Sequence, residues 1–388
     1  MAHNKEGHPL EAAYAALLEH GLDGAAEALR ILVNEASKIQ REEHLGVKLY
    51  ERSEKRTDYA NGYKPKTVLT RLGPVTFEVP QVRSGGFYPS ALEKGSRTER
   101  SVNIALAEMY VQGVSTRRVI EVLQRLVGPD LSLSHTQVSR AAAMLDEGLK
   151  KWRERALGNV PYLYLDARYE KVRHEGRIVD CAVLIAAGVD PSGKRRIIGC
   201  TVATSEAEIN WRRFLESLMA RGMTGTRLII SDDHAGLKAA RKAVLPAVPW
   251  QRCQVHLQQN AAHLVTRQED RKEVAKMIRA IANAQDKADA YRLLKASVEV
   301  WQKKHPKLAE WAEEAIPESL TVFDFPEAHR QRLRSTNMLE RVNRELKRRT
   351  RVISIFPNMD SCLRLISAML AELDDEWMSG IMYLNFSQ

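Results

Sequence analysis

The chain has 388 residues, 44% of them hydrophobic, which suffices for two or three ordinary cores, and it carries a formal charge of +10 from 59 Lys and Arg against 49 Asp and Glu. No apolar run approaches the roughly 18 residues of a membrane helix. The start "MAHNKEGHPLEAAYAALLEHG" lacks a signal peptide's basic start and apolar core, and Cys181, Cys200, Cys253 and Cys362 show no disulfide-framework spacing, so a reducing, cytoplasmic setting is expected.

Residues 10–50 alternate apolar and polar at helical spacing and end in the charged "YERSEKRTDYANGYKPK", which suits an arm or linker. The stretch "TVLTRLGPVTFEVPQVR" predicts two strands, Thr67–Leu72 and Val75–Val79, around a Gly73-Pro74 turn, with Val75, Phe77 and Val79 on one buried face. Three helices follow: "SVNIALAEMYVQG", "STRRVIEVLQRLVG" and "SHTQVSRAAAMLDEGLKKW". Ser134 and Gln137 are spaced as a capping box on the third, whose first turn presents His135, Thr136, Gln137 and Arg140. Such a polar, cationic turn suits a reader of the DNA major groove, although the Gly128–Leu133 connection is longer than usual and a plain three-helix packing unit has the same pattern.

After Pro161 the pattern changes to short β-rich runs, "YLYLDARYEKV", "IVDCAVLIAAGV" and "RRIIGCTVATS", and then alternates helix and strand through "EAEINWRRFLESLMARG", "TRLIISD", "AGLKAARKAV" and a short apolar strand around Trp250–Val255. A mixed α/β sheet follows from this order. "GVDPSGKR", Gly188–Arg195, imitates a phosphate-binding loop, but Arg195 replaces the magnesium-binding Ser/Thr and a strand follows where a helix N-terminus is needed. Residues 257–335 are again helical.

Between Ala328 and Arg351 nine Lys and Arg face two Glu, whereas residues 264–316 carry eleven against nine, so the positive charge is local and fits a polyanion or a solvated helical face. Within "STNMLERVNRELKRRTRV", Leu339, Val342 and Leu346 form an apolar side, and Glu340 shares a face with Asn343, Arg344, Lys347 and Arg351. Glu340 is equally well placed to complete a capping box with Asn337, and Glu345 to pair with Arg341, Arg348 and Arg349. Asp166 and Asp232 each end an apolar strand start. Two carboxylates delivered to one sheet edge repel unless cations share them, and all-oxygen sites suit Mg²⁺ or Mn²⁺. Asp233, beside Asp232 on an extended segment, points to the opposite face.

The order Asp166, Asp232 in "SDDHAGL", "RCQVHLQQN" and "STNMLERVNRELKRRTRVISIFPN" closely resembles the bacterial insertion-sequence transposases of the Mutator-like type, DDE enzymes with an RNase H-like catalytic domain. The resemblance extends upstream through "NGYKPKTVLTRLGPVTFEVPQVR", "FYPS" and "EMYVQGVSTRRV", and so covers most of the chain after about residue 45. It implies an acidic triad of Asp166, Asp232 and Glu340 and an α/β fold: an RNase H-like mixed sheet interrupted by an all-helical insertion domain, preceded by helical and small β DNA-binding regions. The corresponding divisions are residues 1–60, 61–95, 96–158, 159–256, 257–335 and 336–388. The family's Cys-x-x-His is matched by Cys253 and His256. Zinc with His263 nearby lacks a second Cys/His pair, so the two are read as support for the active site or its DNA contacts.

The implied chemistry is two-metal phosphoryl transfer. One Mg²⁺ or Mn²⁺ ion shared by Asp166 and Asp232 activates water, and a second, held by Asp166 and Glu340, stabilises the leaving 3′-oxygen. The freed 3′-OH then attacks another strand. Arg341, Arg344, Lys347, Arg348 and Arg351 are expected to hold DNA phosphates, the partners are terminal inverted repeats and target DNA, and a homodimer or larger assembly is expected because two ends must be held together. Two rival functions share these features, a catalytically silent DNA-binding regulator and an RNase H-like nuclease or resolvase.

Overall fold

The computed structural model describes residues 9–48, 51, 53–112, 114, 116–127 and 141–386. The chain divides into two compact units, the first of residues 1–110 and 114–144, the second of 111–113 and 145–388.

In the first unit, α1 (Pro9–His20) and α2 (Ala25–Leu45) precede a hairpin of β1 (Ala60–Thr70) and β2 (Gly73–Val82). Val75, Phe77 and Val79 form its buried face and pack with Leu29 and Val33 of α2, as their alternation predicts. The turn itself is Arg71–Leu72, since Thr70 pairs with Gly73 across the hairpin. Thr70 Oγ1 closes it by donating to the Gly73 carbonyl (2.8 Å) and accepting from Leu72 N–H (3.1 Å). Gly73 takes a φ of 106°, which favours glycine, and Pro74 opens the strand instead of forming the turn. Two helices follow, α3 (Arg100–Val111) and α4 (Thr116–Val127). His135, Thr136, Gln137 and Arg140, and the Ser134–Gln137 box, lie outside the described residues. The third predicted helix does not continue to Trp152 unbroken: 141–143 are helical, Met144–Leu145 form a turn, and α5 (Asp146–Glu154) starts afresh with Asp146 and Glu147 at its positive end.

The second unit is built on a five-stranded mixed sheet in the order β5-β4-β3-β6-β7. β3 (Tyr162–His174), β4 (Arg177–Val189) and β5 (Arg195–Ala203) form an antiparallel meander, while β6 (Leu228–Ser231) and β7 (Trp250–Arg252) add in parallel. From Cys181 to Val189 the interior strand β4 is buried throughout, as an unbroken apolar run suits a strand covered on both faces. Leu163, Leu165, Leu184 and Ile229 pack with Trp211, Phe214 and Leu215 of α6 (Glu208–Ala220) and Leu237 of α7 (Ala235–Val244). The imitation phosphate loop is a turn at Asp190–Gly193, and the Gly193 carbonyl accepts hydrogen bonds from the N–H groups of Tyr383 (2.8 Å) and Leu384 (3.1 Å).

A helical segment separates the last strand from the Glu340 helix: α8 (Gln254–His263), α9 (Gln268–Ala282), α10 (Lys287–Lys304), α11 (Pro306–Ala315), two short 3₁₀ turns and α12 (Glu327–Leu333). α13 (Asn337–Thr350) carries Glu340, and α14 (Met359–Ser379) lies against β5. Asp374 of α14, 1% exposed, accepts from Ile197 N–H (2.8 Å) and pairs with Arg155 (2.9 Å) and Arg196 (3.2 Å). Asp374→Ala should therefore cost about 3 kcal/mol, because it leaves two partly buried guanidinium groups without their anion. Chemical denaturation checks this.

Candidate active site

Every second residue of β3 faces one continuous later segment of the chain. Tyr162 Oη bonds His329 Nδ1 (2.8 Å), Tyr164 Oη donates to the Arg332 carbonyl (3.1 Å), and Asp166 Oδ2 accepts from Asn343 Nδ2 (2.8 Å). Arg168 then donates to the Asn343 carbonyl (2.9 Å), and Glu170 accepts from Thr350 Oγ1 (2.9 Å). Strand alternation thus fastens residues 329–350 along one side of β3, with α13 passing Asp166.

Asp232 comes from the neighbouring strand at the matching level. β3 and β6 pair in parallel with Tyr164 opposite Ile230, and Asp166 and Asp232 each stand two residues further on. Asp166 is 8% exposed; burial and then Asp232 push its carboxyl up to about 7. Burial also raises Asp232, against the pull of His256 and His234. Asp233 is occupied elsewhere, in ion pairs with Lys238 (2.9 Å) and Arg252 (2.8 Å), as its place on the other face suggested.

The capping-box reading of Glu340 fails. Asn337 is already inside α13, the cap position is Thr336, and no side chain caps it. Glu340 is half-buried, and its Oε1 is buried with no hydrogen-bond partner; the same holds for Asn343 Oδ1. Glu345 does pair with Arg348 (2.6 Å) and Arg349 (2.8 Å), and these bonds hold its carboxyl down to about 2. Leu339, Val342 and Leu346 are buried as their spacing predicts, whereas Arg341, Arg344, Lys347, Arg348 and Arg351 are exposed. Glu340 and Asn343 therefore occupy the border between the packed side of the helix and its basic surface.

Cys253 joins the Asp232 strand to the Glu340 helix. Its N–H donates to the Ser231 carbonyl (2.7 Å), and its Sγ accepts from Thr336 N–H (3.4 Å) and Oγ1 (3.3 Å). Burial would raise the thiol, but hydrogen bonds from His256 and Thr336 outweigh it and hold it below the usual thiol range. His256, bonded to Cys253 and near Asp232 and Asp166, is pushed up to about 9. One ligand atom each of Cys253, His256 and Glu340 lie within 4.8 Å of one another. His263 is exposed at the far end of α8 and is not part of this group.

These acids, on neighbouring strands and an adjoining helix with a basic outer surface, are set in a chain whose residues 2–380 match the transposases of the Mutator family. The chain belongs to that family. The transposase is 76% identical over 387 residues, all of both chains, to the transposase for insertion sequence element IS406 of Burkholderia multivorans (strain ATCC 17616 / 249). It is 42% identical to that of ISRM5 of Rhizobium meliloti (strain 1021), over 98% of this chain and 95% of the other. It is 36% identical to that of IS256 in transposon Tn4001 of Staphylococcus aureus, over 94% of each. The transposase is thus of the insertion-sequence type, and no helix among its described residues is long and apolar enough to cross a membrane.

Asn343 was visible in the sequence only as a residue on the Glu340 face, yet it is the hydrogen-bond donor to Asp166. The signal available was its place three residues after Glu340, one turn along the same face.

Proposed function

We propose that this transposase binds the terminal inverted repeats of its insertion sequence, cleaves the DNA ends and joins the 3′-OH to another strand, using Asp166, Asp232 and Glu340 on an RNase H-like sheet. The observation that carries the reading is the level pairing of Asp166 and Asp232 on parallel neighbours, with α13 bonded to Asp166 through Asn343.

The residues fit divalent cations. Asp166 is pushed toward protonation by burial and by Asp232, and Glu340 Oε1 is buried without a donor, so the site has anionic oxygens in excess of protein partners. Hard oxygen ligands of this kind suit Mg²⁺ or Mn²⁺, and Asp166, Asp232 and Glu340 would hold two such ions. When bound, they supply Lewis-acid activation of the attacking oxygen and stabilisation of the leaving 3′-oxygen. Asn343 fixes the rotamer of Asp166, and Cys253 fixes α13 against the end of β6.

The exposed Arg341, Arg344, Lys347, Arg348 and Arg351 would hold DNA phosphates beside the acids. Neutralising Arg344 or Lys347 should weaken binding across all sequences and reduce the slope of log K against log[salt] by about 0.9 per lost phosphate contact. An unchanged slope, read by fluorescence anisotropy at several salt concentrations, would place that residue outside the interface. Holding two ends together calls for a homodimer or larger assembly. Leu10, Tyr14, Leu17 and Leu18 on α1 are exposed apolar residues and offer a surface for it.

The test is Mg²⁺-dependent processing of a plasmid bearing the element's ends. Breaks at defined ends with joined products support transposition. Breaks without joining would indicate a nuclease or resolvase, and binding without breaks a regulator.

A further inference from the structure

Cys253, His256 and Glu340 form a second donor set beside the three acids, and its chemistry differs from theirs. Two of its atoms lack partners: His256 Nδ1 and Glu340 Oε1 are both buried without a hydrogen bond. Leaving two such atoms unpaired is costly unless something else engages them. Cys253 is fully buried, and Thr336 donates two hydrogen bonds to its sulfur, from its N–H and its Oγ1. N–H and O–H donors to sulfur are the arrangement that stabilises a metal-bound thiolate.

We propose that Cys253, His256 and Glu340 form a binding site for one borderline-soft divalent cation of the Zn²⁺ class, separate in chemistry from the carboxylate set that would take Mg²⁺. A thiolate with an imidazole and one carboxylate favours Zn²⁺, whereas Mg²⁺ prefers all-oxygen shells. Three protein ligands leave a fourth tetrahedral position open to water or a phosphate oxygen, the arrangement of reactive rather than structural zinc. Zn–S of about 2.3 Å and Zn–N or Zn–O of about 2.0–2.2 Å give ligand separations near 3.5 Å, so the three atoms, now within 4.8 Å, close on a cation by small side-chain rotations. His256 and Glu340 are half-buried and give the ion its way in. Glu340 belongs to both sets, so a Zn²⁺ ion here draws on the same carboxylate as the catalytic ions.

The test uses metal-stripped full-length protein titrated with Co²⁺, a spectroscopic stand-in for Zn²⁺, followed by Zn²⁺ competition. The expected result is a thiolate-to-cobalt charge-transfer band that saturates at one Co²⁺ per chain in that site and that Zn²⁺ abolishes. Cys253→Ser should remove the band, and His256→Gln and Glu340→Gln should each weaken Co²⁺ binding at least about 10-fold, since removing even outer-shell partners costs roughly 10–100-fold. Absence of the band, its survival in Cys253→Ser, or unchanged affinity in Glu340→Gln would overturn the proposal. If Cys253→Ser does not fold, His256→Gln and Glu340→Gln with wild-type circular dichroism decide. The readout needs neither DNA nor Mg²⁺, so its failure and a failure of the cleavage assay are distinguishable.

Discussion

Glu340→Gln should abolish DNA cleavage while leaving binding to the element's ends largely intact. The substitution keeps the size of the side chain and the helix, and removes one negative charge one helical turn from Asn343, the donor to Asp166. Outer-shell partners of metal ligands already cost roughly 10–100-fold when removed, so loss of a direct carboxylate ligand should cost more than about 100-fold in rate. Affinity for DNA would reside in the exposed Arg and Lys of α13 and is expected to change little. The pair of measurements is a single-turnover cleavage assay and a binding titration on the same DNA. Cleavage within a few-fold of wild type would remove Glu340 from the chemistry, and a parallel loss of binding would make it a structural residue.

Asp166→Asn should stabilise the metal-free protein at neutral pH and remove a pH dependence expected of the wild type. Burial and Asp232 raise the Asp166 carboxyl from 3.8 to about 7 in the folded state. Between these values the folded protein keeps a proton that the unfolded chain releases, so stability falls as pH rises from about 4 to about 7. At about 1.4 kcal/mol per pH unit, the full penalty is about 4 kcal/mol above pH 7. Asn keeps the acceptor for Asn343 without the charge. Urea unfolding of both proteins in chelator at pH 5 and pH 8 reads the difference, and Mg²⁺ should restore stability to the wild type at pH 8. A wild type no more destabilised than Asp166→Asn over this range would mean that Asp166 is not held in such a site.

Much of this arrangement was legible in the sequence because it rests on local pattern. The apolar run ending in Asp232 predicted its strand-end carboxylate, and helical spacing put Leu339, Val342 and Leu346 together, whereas Asp166, expected at a strand end, lies inside β3 opposite Ile185 of β4. What was not legible depended on distant contacts or on register. The level pairing of Asp166 with Asp232 follows from a parallel alignment set across two strands and a helix, and the closeness of Glu340 to His256 follows from the fold of the intervening helical segment. Asn337 and Glu340 have capping-box spacing, but Thr336 takes the cap because its backbone and hydroxyl are engaged by Cys253. The hairpin turn moved to Arg71–Leu72 because Thr70 closes it from its side chain, which a Gly-Pro pair does not reveal. By pattern Asn343 is one more polar residue of a basic helix, and its bond to Asp166 depends on the strand opposite.

The central claim is that Asp166, Asp232 and Glu340 form one cation site, and Mn²⁺ binding tests it most directly. Titration of metal-stripped protein with Mn²⁺, followed by electron paramagnetic resonance, should show occupancy that weakens in each of Asp166→Asn, Asp232→Asn and Glu340→Gln. Mn²⁺ affinity unchanged by Glu340→Gln, or bound equally by a protein lacking both aspartates, would contradict the account.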